Sequence, residues 1–449
     1  MSSTIKQNSF SIKPPGQQLK EKLIQRYGDL ENAAHNLGLY KNTLEQYLRS
    51  SKLGSDSFKI KLTQLYNADF DSLYLDPKQQ VSAGIDEAYK AFNNLLNNNL
   101  ILLEELKQAA SKYNLLKKYG YSVFLLGVQQ NKEGMVNESV KNLCKAYTLF
   151  EEHQNKSMEL ATLLQLLKII AGPFHLYHEN NVPDYVHDIL KKVHLVPKTY
   201  SEQVPLQTIL KLMITKAKFL YKNTVIEEQR LHFLYFGNMG YAFGALEEYE
   251  ESIRYNNNAL LYATDKGSVP IFVNNGDACH NLGDLDQAFE NYSKALSIID
   301  GDDPRIYHIF IDIWDLLKHT GDISMANAYW DMIDLDKYFK IKHGFFHYFE
   351  QMILYGIQNN DEDFISKALS IASDKFSTNT YTENDTVKLM ARIGTLVEAN
   401  KFQTPVLKKI KAGLTRNFLT NPNLTESIRG AAFKLLGIIQ FKTFDNFKS

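Results

Sequence analysis

Residues 236–260 read FGNMGYAFGALEEYEESIRYNNNAL, and residues 272–296 read FVNNGDACHNLGDLDQAFENYSKAL. Overlaid at an offset of 36 residues, they place Gly240 on Gly276 and Ala259 on Ala295. A third copy, FIDIWDLLKHTGDISMANAYWDMI (310–333), follows 38 residues later, with Trp314 at the glycine position and Ala326 matching Ala288. An earlier copy, VFLLGVQQNKEGMVNESVKNLCKAYTLF (123–150), supplies Gly127, Ser139 and Ala146. Within each copy apolar residues recur at i, i+3, i+4 and i+7, the period of a helix with one buried face. Short turns such as NLGDLD and HTGDIS divide the copies into two helices each. A helical pair at this spacing is a hairpin that buries its apolar face by stacking on its neighbours. The small residues let the two helices of a pair, and then adjacent pairs, approach closely.

Residues 343–374 and 384–441 keep the hairpin periodicity without the small-residue signature, and no segment shows strand alternation. The fold class is therefore all-α, with the repeats expected to wind into a superhelix. At 449 residues the chain exceeds one ordinary domain, and 44% hydrophobic content is ample for a large core. A net charge of −1 with 22% charged residues excludes a disordered chain and a general nucleic-acid coat. The two cysteines, Cys144 and Cys279, form no CxxC pair, which excludes a disulfide scaffold and a thiolate zinc site and fits a reducing compartment. The opening MSSTIKQNSFSIKPPGQQ lacks a signal-peptide core, and apolar windows such as LATLLQLLKIIAG are broken by Gln or Lys well short of a membrane span. A cytoplasmic protein with no membrane partner is expected.

Breakers divide the chain further. Pro14, Pro15 and Gly16 mark residues 1–18 as a flexible arm, and DPKQQVSAG (76–84) closes a compact block over 19–76. Residues 77–85 then read as a linker, and 86–449 as the repeat domain, opened by a long helix over 86–118. In the compact block, NAAHNLGLYKNTLEQYL (32–48) reads as two helices and a turn. Ala34 is small where the helices cross, Gly38 takes the turn, and Leu37, Leu44 and Tyr47 face a shared core. Flanking LKEKLIQRY and DSFKIKLTQLYN supply helices on either side.

This block resembles the phage-repressor (lambda repressor or Xre-like) helix-turn-helix family, with Leu30 where the family often carries Gln. The resemblance implies a second helix set in the major groove. Its base-facing candidates are Tyr40, Lys41, Asn42, Glu45 and Gln46, with Arg49 and Lys52 near phosphates. Asn and Gln suit bidentate contacts to adenine, and Lys reaches guanine or phosphate. Residues 1–77 hold ten Lys or Arg and eight Asp or Glu, a net of only +2, so one module neutralises few phosphates.

The repeats resemble the tetratricopeptide family, with Phe where the family usually has Trp, and with Thr264 and Asp300 at its usual closing proline. In each first helix two stripes separate at about 100° per residue. Phe236, Gly240 and Phe243 oppose Asn238, Tyr241 and Ala245; Phe272, Gly276 and Cys279 oppose Asn274, Asp277 and Asn281; Phe310, Trp314 and Leu317 oppose Asp312, Asp315 and His319. The first stripe packs the hairpin and the second lines the concave wall. Recurring Asn side chains offer both a donor and an acceptor to a peptide backbone. Asp277, Asp312 and Asp315 favour a peptide carrying Arg, Lys or a free amino terminus.

An Xre-like module followed by tetratricopeptide repeats is similar to the RRNPP family of peptide-pheromone regulators, which spans the Rgg, NprR, PlcR and PrgX types and the phage arbitrium receptors. The resemblance implies a homodimer that binds a double-stranded operator and a short oligopeptide, as in quorum sensing or a lysis–lysogeny switch. The rival is a repeat scaffold or Rap-like antirepressor that binds proteins and carries a vestigial first module. The segment GAAFKLLGIIQF (430–441) either caps the last hairpin or forms the dimer seam, the seam being favoured together with 86–118. HLYHE (175–179) and HGFFHYFE (343–350) put histidines within one helical turn but lack the HExxH order, so no metal is assigned. With no P-loop, GxSxG or GxGxxG, neither a cofactor nor a catalytic role is expected.

Overall fold

The computed structural model describes residues 10–50, 53–94, 99–133, 135–174, 184–197, 199, 204–301, 303, 305–334, 411–412, 414–415, 419 and 426–445. Among them the fold is all-helical, without a β-strand, and divides into two compact units, Met1–Leu163 and Leu164–Ser449. No helix of the described residues is long and apolar enough to cross a membrane.

The first unit opens with four short helices, Pro15–Tyr27, Leu30–Asn36, Lys41–Arg49 and Asp56–Tyr66. Leu19, Leu23, Ala33, Ala34, Leu44, Phe58 and Leu62 form their common core. Local signals set the helix starts: Asp29 accepts from the Asn32 amide at 2.8 Å, and Ser55 caps the fourth helix through the Phe58 amide. Gly38 turns the chain between the second and third helices at φ +62°, and Lys61 Nζ donates to the Leu37 carbonyl at 2.7 Å to hold that turn.

Three boundaries differ from those read in the sequence. The arm expected to run to residue 18 is helical from Pro15, because proline at the first helical position has no amide to waste. Gly16 then lies against the end of the third helix, where a Cβ would stand 1.7 Å from the Leu48 carbonyl oxygen. The expected linker 77–85 is the first half of the helix Pro77–Asn93, started by a capping box in which Asp76 and Gln79 satisfy each other's backbone amides. The expected 86–118 helix is interrupted too: Asn99 caps a separate helix, Leu100–Lys112, and a third begins at Leu116.

Four helical hairpins carry the repeat. Hairpin I pairs Leu116–Lys132 with Val136–Glu152 in the first unit. Hairpins II, III and IV lie in the second unit and pair Gln229–Ala245 with Tyr249–Leu260, Asp265–Asn281 with Leu285–Ile298, and Ile306–Thr320 with Ile323–Asp331. One contact recurs in all four, between a residue on the first helix and the residue sixteen places later on the second. A Cβ on Gly127 would meet Leu143 at 2.9 Å, one on Gly240 would meet Asn256 Oδ1 at 2.1 Å, and one on Gly276 would meet the Tyr292 ring at 2.4 Å. In hairpin IV the same pair is Trp314 and Trp330, ring centroids 4.8 Å apart. The hairpins are tetratricopeptide-like in this sense: a small first-helix residue receives the second helix, and the last pair fills the crossing with two indoles.

The segment 430–441 lies in the helix Glu426–Asp445, whose Ile428, Ala432, Leu435, Leu436 and Ile439 share one apolar cluster with Trp314, Trp330 and Ala326. That face packs on its own chain, as the cap reading expects, while Phe433 on the same helix is exposed.

Gly276→Ala is expected to destabilise the chain by about 1–3 kcal/mol through overpacking against Tyr292. Gly244→Ala, whose Cβ would make an ordinary 3.4 Å contact with Ser252, gains helix propensity of up to about 1 kcal/mol instead. Urea midpoints of the two variants should move in opposite directions.

Candidate functional site

Two surfaces gather the residues singled out in the sequence. On the third helix of the first unit, Tyr40, Lys41, Asn42, Gln46 and Arg49 are exposed and Glu45 is half-buried, while Leu44 and Leu48 point into the core. The 3.6-residue period explains the division, since the two leucines are one turn apart on the opposite face. Tyr40 stands at 85% exposure just ahead of the helix, an aromatic ring that packing inside the unit does not use. Lys41 Nζ lies 3.7 Å from Glu31 and Arg49 lies 3.3 Å from Glu45, so carboxylates already accompany two of the cations on this face. Lys52 lies outside the described residues.

The second surface lies along the first helices of hairpins II to IV. Asn238, expected on the open wall, is buried, and its side-chain amide donates to the Leu164 carbonyl at 3.0 Å. It works there as an internal tie to the helix Lys156–Ile169, which corrects its placement on the open wall as part of a peptide clamp. Asn275, adjacent to the predicted Asn274, is also interior and bonds Asn257 at 3.0 Å. Tyr241, Asn274, Asp312 and Asp315 are half-buried, and Asp277 and Asn281 are exposed. Asn281 donates back to the Asp277 carbonyl one turn earlier, at 2.8 Å.

Asp277 is the electrostatic centre of this wall. Water reaches it, yet protein surrounds it on the other sides, and that confinement pushes its carboxyl up to about 6 even though Tyr292 donates to Oδ1 at 2.7 Å and pulls the other way. Tyr241 nearby is raised to about 12 by burial and by the charge of Asp277. Lys168 shares the same character of an accessible charge walled by protein: burial lowers its pKa, and the charges of Arg230 and Arg305 lower it further. The second unit thus carries carboxylates at Asp277, Asp312 and Asp315 and cations at Lys168 and Arg230.

Reading the sequence missed Lys168, Tyr292 and His280. Lys168 had left a signal, a lone charge inside LATLLQLLKIIAG, which such a run tolerates only where the side chain reaches water. Tyr292 occupies a second-helix position that Asn256 and Leu143 hold in other hairpins, so the repeat carries no mark of its role. His280 approaches Asp315 and His319 of the next hairpin, with His280 Nε2 and His319 Nδ1 at 3.2 Å. The histidine motifs at 175–179 and 343–350 lie outside the described residues.

No family model and no curated protein matches the chain. Among solved structures it is similar to a human IFIT1 dimer with PPP-AAAA, at 11% identity and a TM-score of 0.36, over 98% of this chain and 97% of that one. It is also similar to the Cut9–Hcn1 hetero-tetramer of the APC/C, at 11% identity and a TM-score of 0.30, over 94% and 89% of the two chains. A circular tandem repeat protein aligns at 11% identity and a TM-score of 0.17, over 96% of this chain and 89% of that one.

The raised pKa of Asp277 fixes the sign of a pH effect. The folded chain holds this proton to higher pH than the unfolded chain, whose carboxyl titrates near the ordinary 3.8. The native state is therefore favoured at low pH and loses that advantage as pH rises from about 4 through about 6. Asp277→Asn keeps an acceptor for Tyr292 and removes the charge, so at pH 7.5 it should melt above the wild type. The gap should close as pH falls below about 4 in parallel thermal melts.

Proposed function

We propose that the chain is a cytoplasmic, non-enzymatic transcription regulator that binds a DNA operator through its first unit and is switched by a short peptide held along the repeat wall of its second. The observation that carries the reading is the third helix of the first unit. It presents Asn42 and Gln46, both able to pair with adenine edges, beside Lys41, Arg49 and an unpacked Tyr40, while its other face is locked into the core. The RRNPP resemblance read in the sequence supports the same division of labour. A module with a net charge of +2 over residues 1–77 neutralises too few phosphates alone, and a symmetric homodimer reading two half-sites supplies the remainder. On the repeat wall, Asp277 with Asp312 and Asp315 attracts the basic or amino-terminal end of a peptide, and Lys168 with Arg230 attracts a carboxylate.

A second reading is a protein-binding repeat scaffold with a vestigial first module. It is favoured by the pairing of Lys41 with Glu31 and of Arg49 with Glu45, which takes positive charge off the helix face.

Fluorescence anisotropy on the DNA upstream of the chain's own coding sequence separates the two. Asn42→Ala with Gln46→Ala should weaken specific binding by about tenfold or more per lost contact, at about 1–3 kcal/mol each. The melting temperature should stay at the wild-type value, because both side chains are exposed. Unchanged affinity in the double variant, or no specific binding by the wild type, favours the scaffold. Asp277→Asn and Asp312→Asn should weaken binding of a basic peptide encoded beside the coding sequence, with the loss shrinking at high salt. Peptide and operator must alter each other's affinity by one common factor.

A further inference from the structure

We propose that His280, Asp315 and His319 form a binding site for a zinc-class divalent ion that staples hairpin III to hairpin IV. His280 lies at the end of the first helix of hairpin III, and Asp315 and His319 stand one turn apart on the first helix of hairpin IV. One donor atom from each of the three lies within 4.8 Å of the other two. Zn–N bonds of about 2.0–2.1 Å at a tetrahedral angle separate two ligand nitrogens by about 3.3–3.4 Å. His280 Nε2 and His319 Nδ1 are 3.2 Å apart, with their ring planes at 68°. The two imidazoles are thus already at the spacing of neighbouring ligands, edge to face rather than stacked.

Proton counting points the same way. His319 Nδ1 also lies 2.9 Å from the backbone carbonyl oxygen of Asp315. In the tautomer with the proton on His319 Nδ1, that one proton faces both the carbonyl and His280 Nε2. A divalent ion in place of the proton would take both ring nitrogens and the Asp315 carboxylate. Lys318, also within reach of the Asp315 charge, is held over the Trp314 ring at 4.1 Å. Two nitrogens and a carboxylate oxygen suit zinc better than calcium or magnesium, which prefer oxygen alone. Ligation would neutralise the charge of Asp315, so a basic peptide end would then meet Asp277 and Asp312 on the two helices that the ion joins.

Calorimetry of the chelator-treated full chain with zinc chloride tests the site. The proposal expects one ion per chain at this site and a zinc-dependent rise in the melting temperature. His280→Ala, His319→Ala and Asp315→Asn should each weaken zinc affinity by about tenfold or more and abolish the rise. These side chains lie at or near the surface, so metal-free melts of the variants should match the wild type and separate lost ligation from lost folding. The double variant His343→Ala with His347→Ala, which removes a pair of histidines spaced four residues apart in the sequence, should bind as the wild type does. Absence of zinc binding by the wild type overturns the proposal. So does zinc binding that survives His280→Ala with His319→Ala, or that disappears only in the 343/347 variant.

Discussion

The repeat depends on one steric constraint: at a fixed point of hairpins I to III the second helix touches the backbone of the first. Gly127, Gly240 and Gly276 meet residues sixteen places on, Leu143, Asn256 and Tyr292, with no room for a methyl group. Interiors packed to crystal density respond to such contacts as discrete fits rather than as graded ones. Hairpin IV resolves the same crossing differently, filling it with Trp314 and Trp330, and there the stack meets the helix Glu426–Asp445.

The same contact builds the electrostatic wall. Tyr292 presses its ring into the notch left by Gly276 and from there directs its hydroxyl to Asp277, one residue further along the first helix. The position that closes the hairpin therefore also orients the carboxylate in the middle of the wall. Close crossings have a second effect on polar residues. Asn256 Oδ1, pressed against Gly240, is left buried without a hydrogen-bond partner, a local cost of the close fit.

Much of this was legible in the sequence because it rests on period and size. The 36-residue offset, the glycine over glycine and the alanine over alanine mark the crossings directly, and Gly38 announces its turn. What the sequence hid depends on context beyond the repeat. Pro14 and Pro15 read as breakers, yet Pro15 starts a helix, since a proline stops a helix only from inside it. Asn238 and Asn274 occupy equivalent positions in the alignment, yet one is buried and the other half-buried, because their neighbours differ. His280 and His319 are 39 residues apart, out of register with the 38-residue offset between their copies, so aligning the repeats cannot pair them. The segment 430–441 shows a similar limit, since an apolar helix face looks the same in sequence whether its own chain or a second copy covers it.

The pair at positions 276 and 292 sets the hairpin crossing. A double-mutant cycle with Gly276→Ala and Tyr292→Ala, followed by chemical denaturation, measures this directly. Gly276→Ala should be destabilising when Tyr292 is present and close to neutral or stabilising once Tyr292 is truncated, with a coupling energy above about 1 kcal/mol. Additive effects of the two substitutions would contradict it.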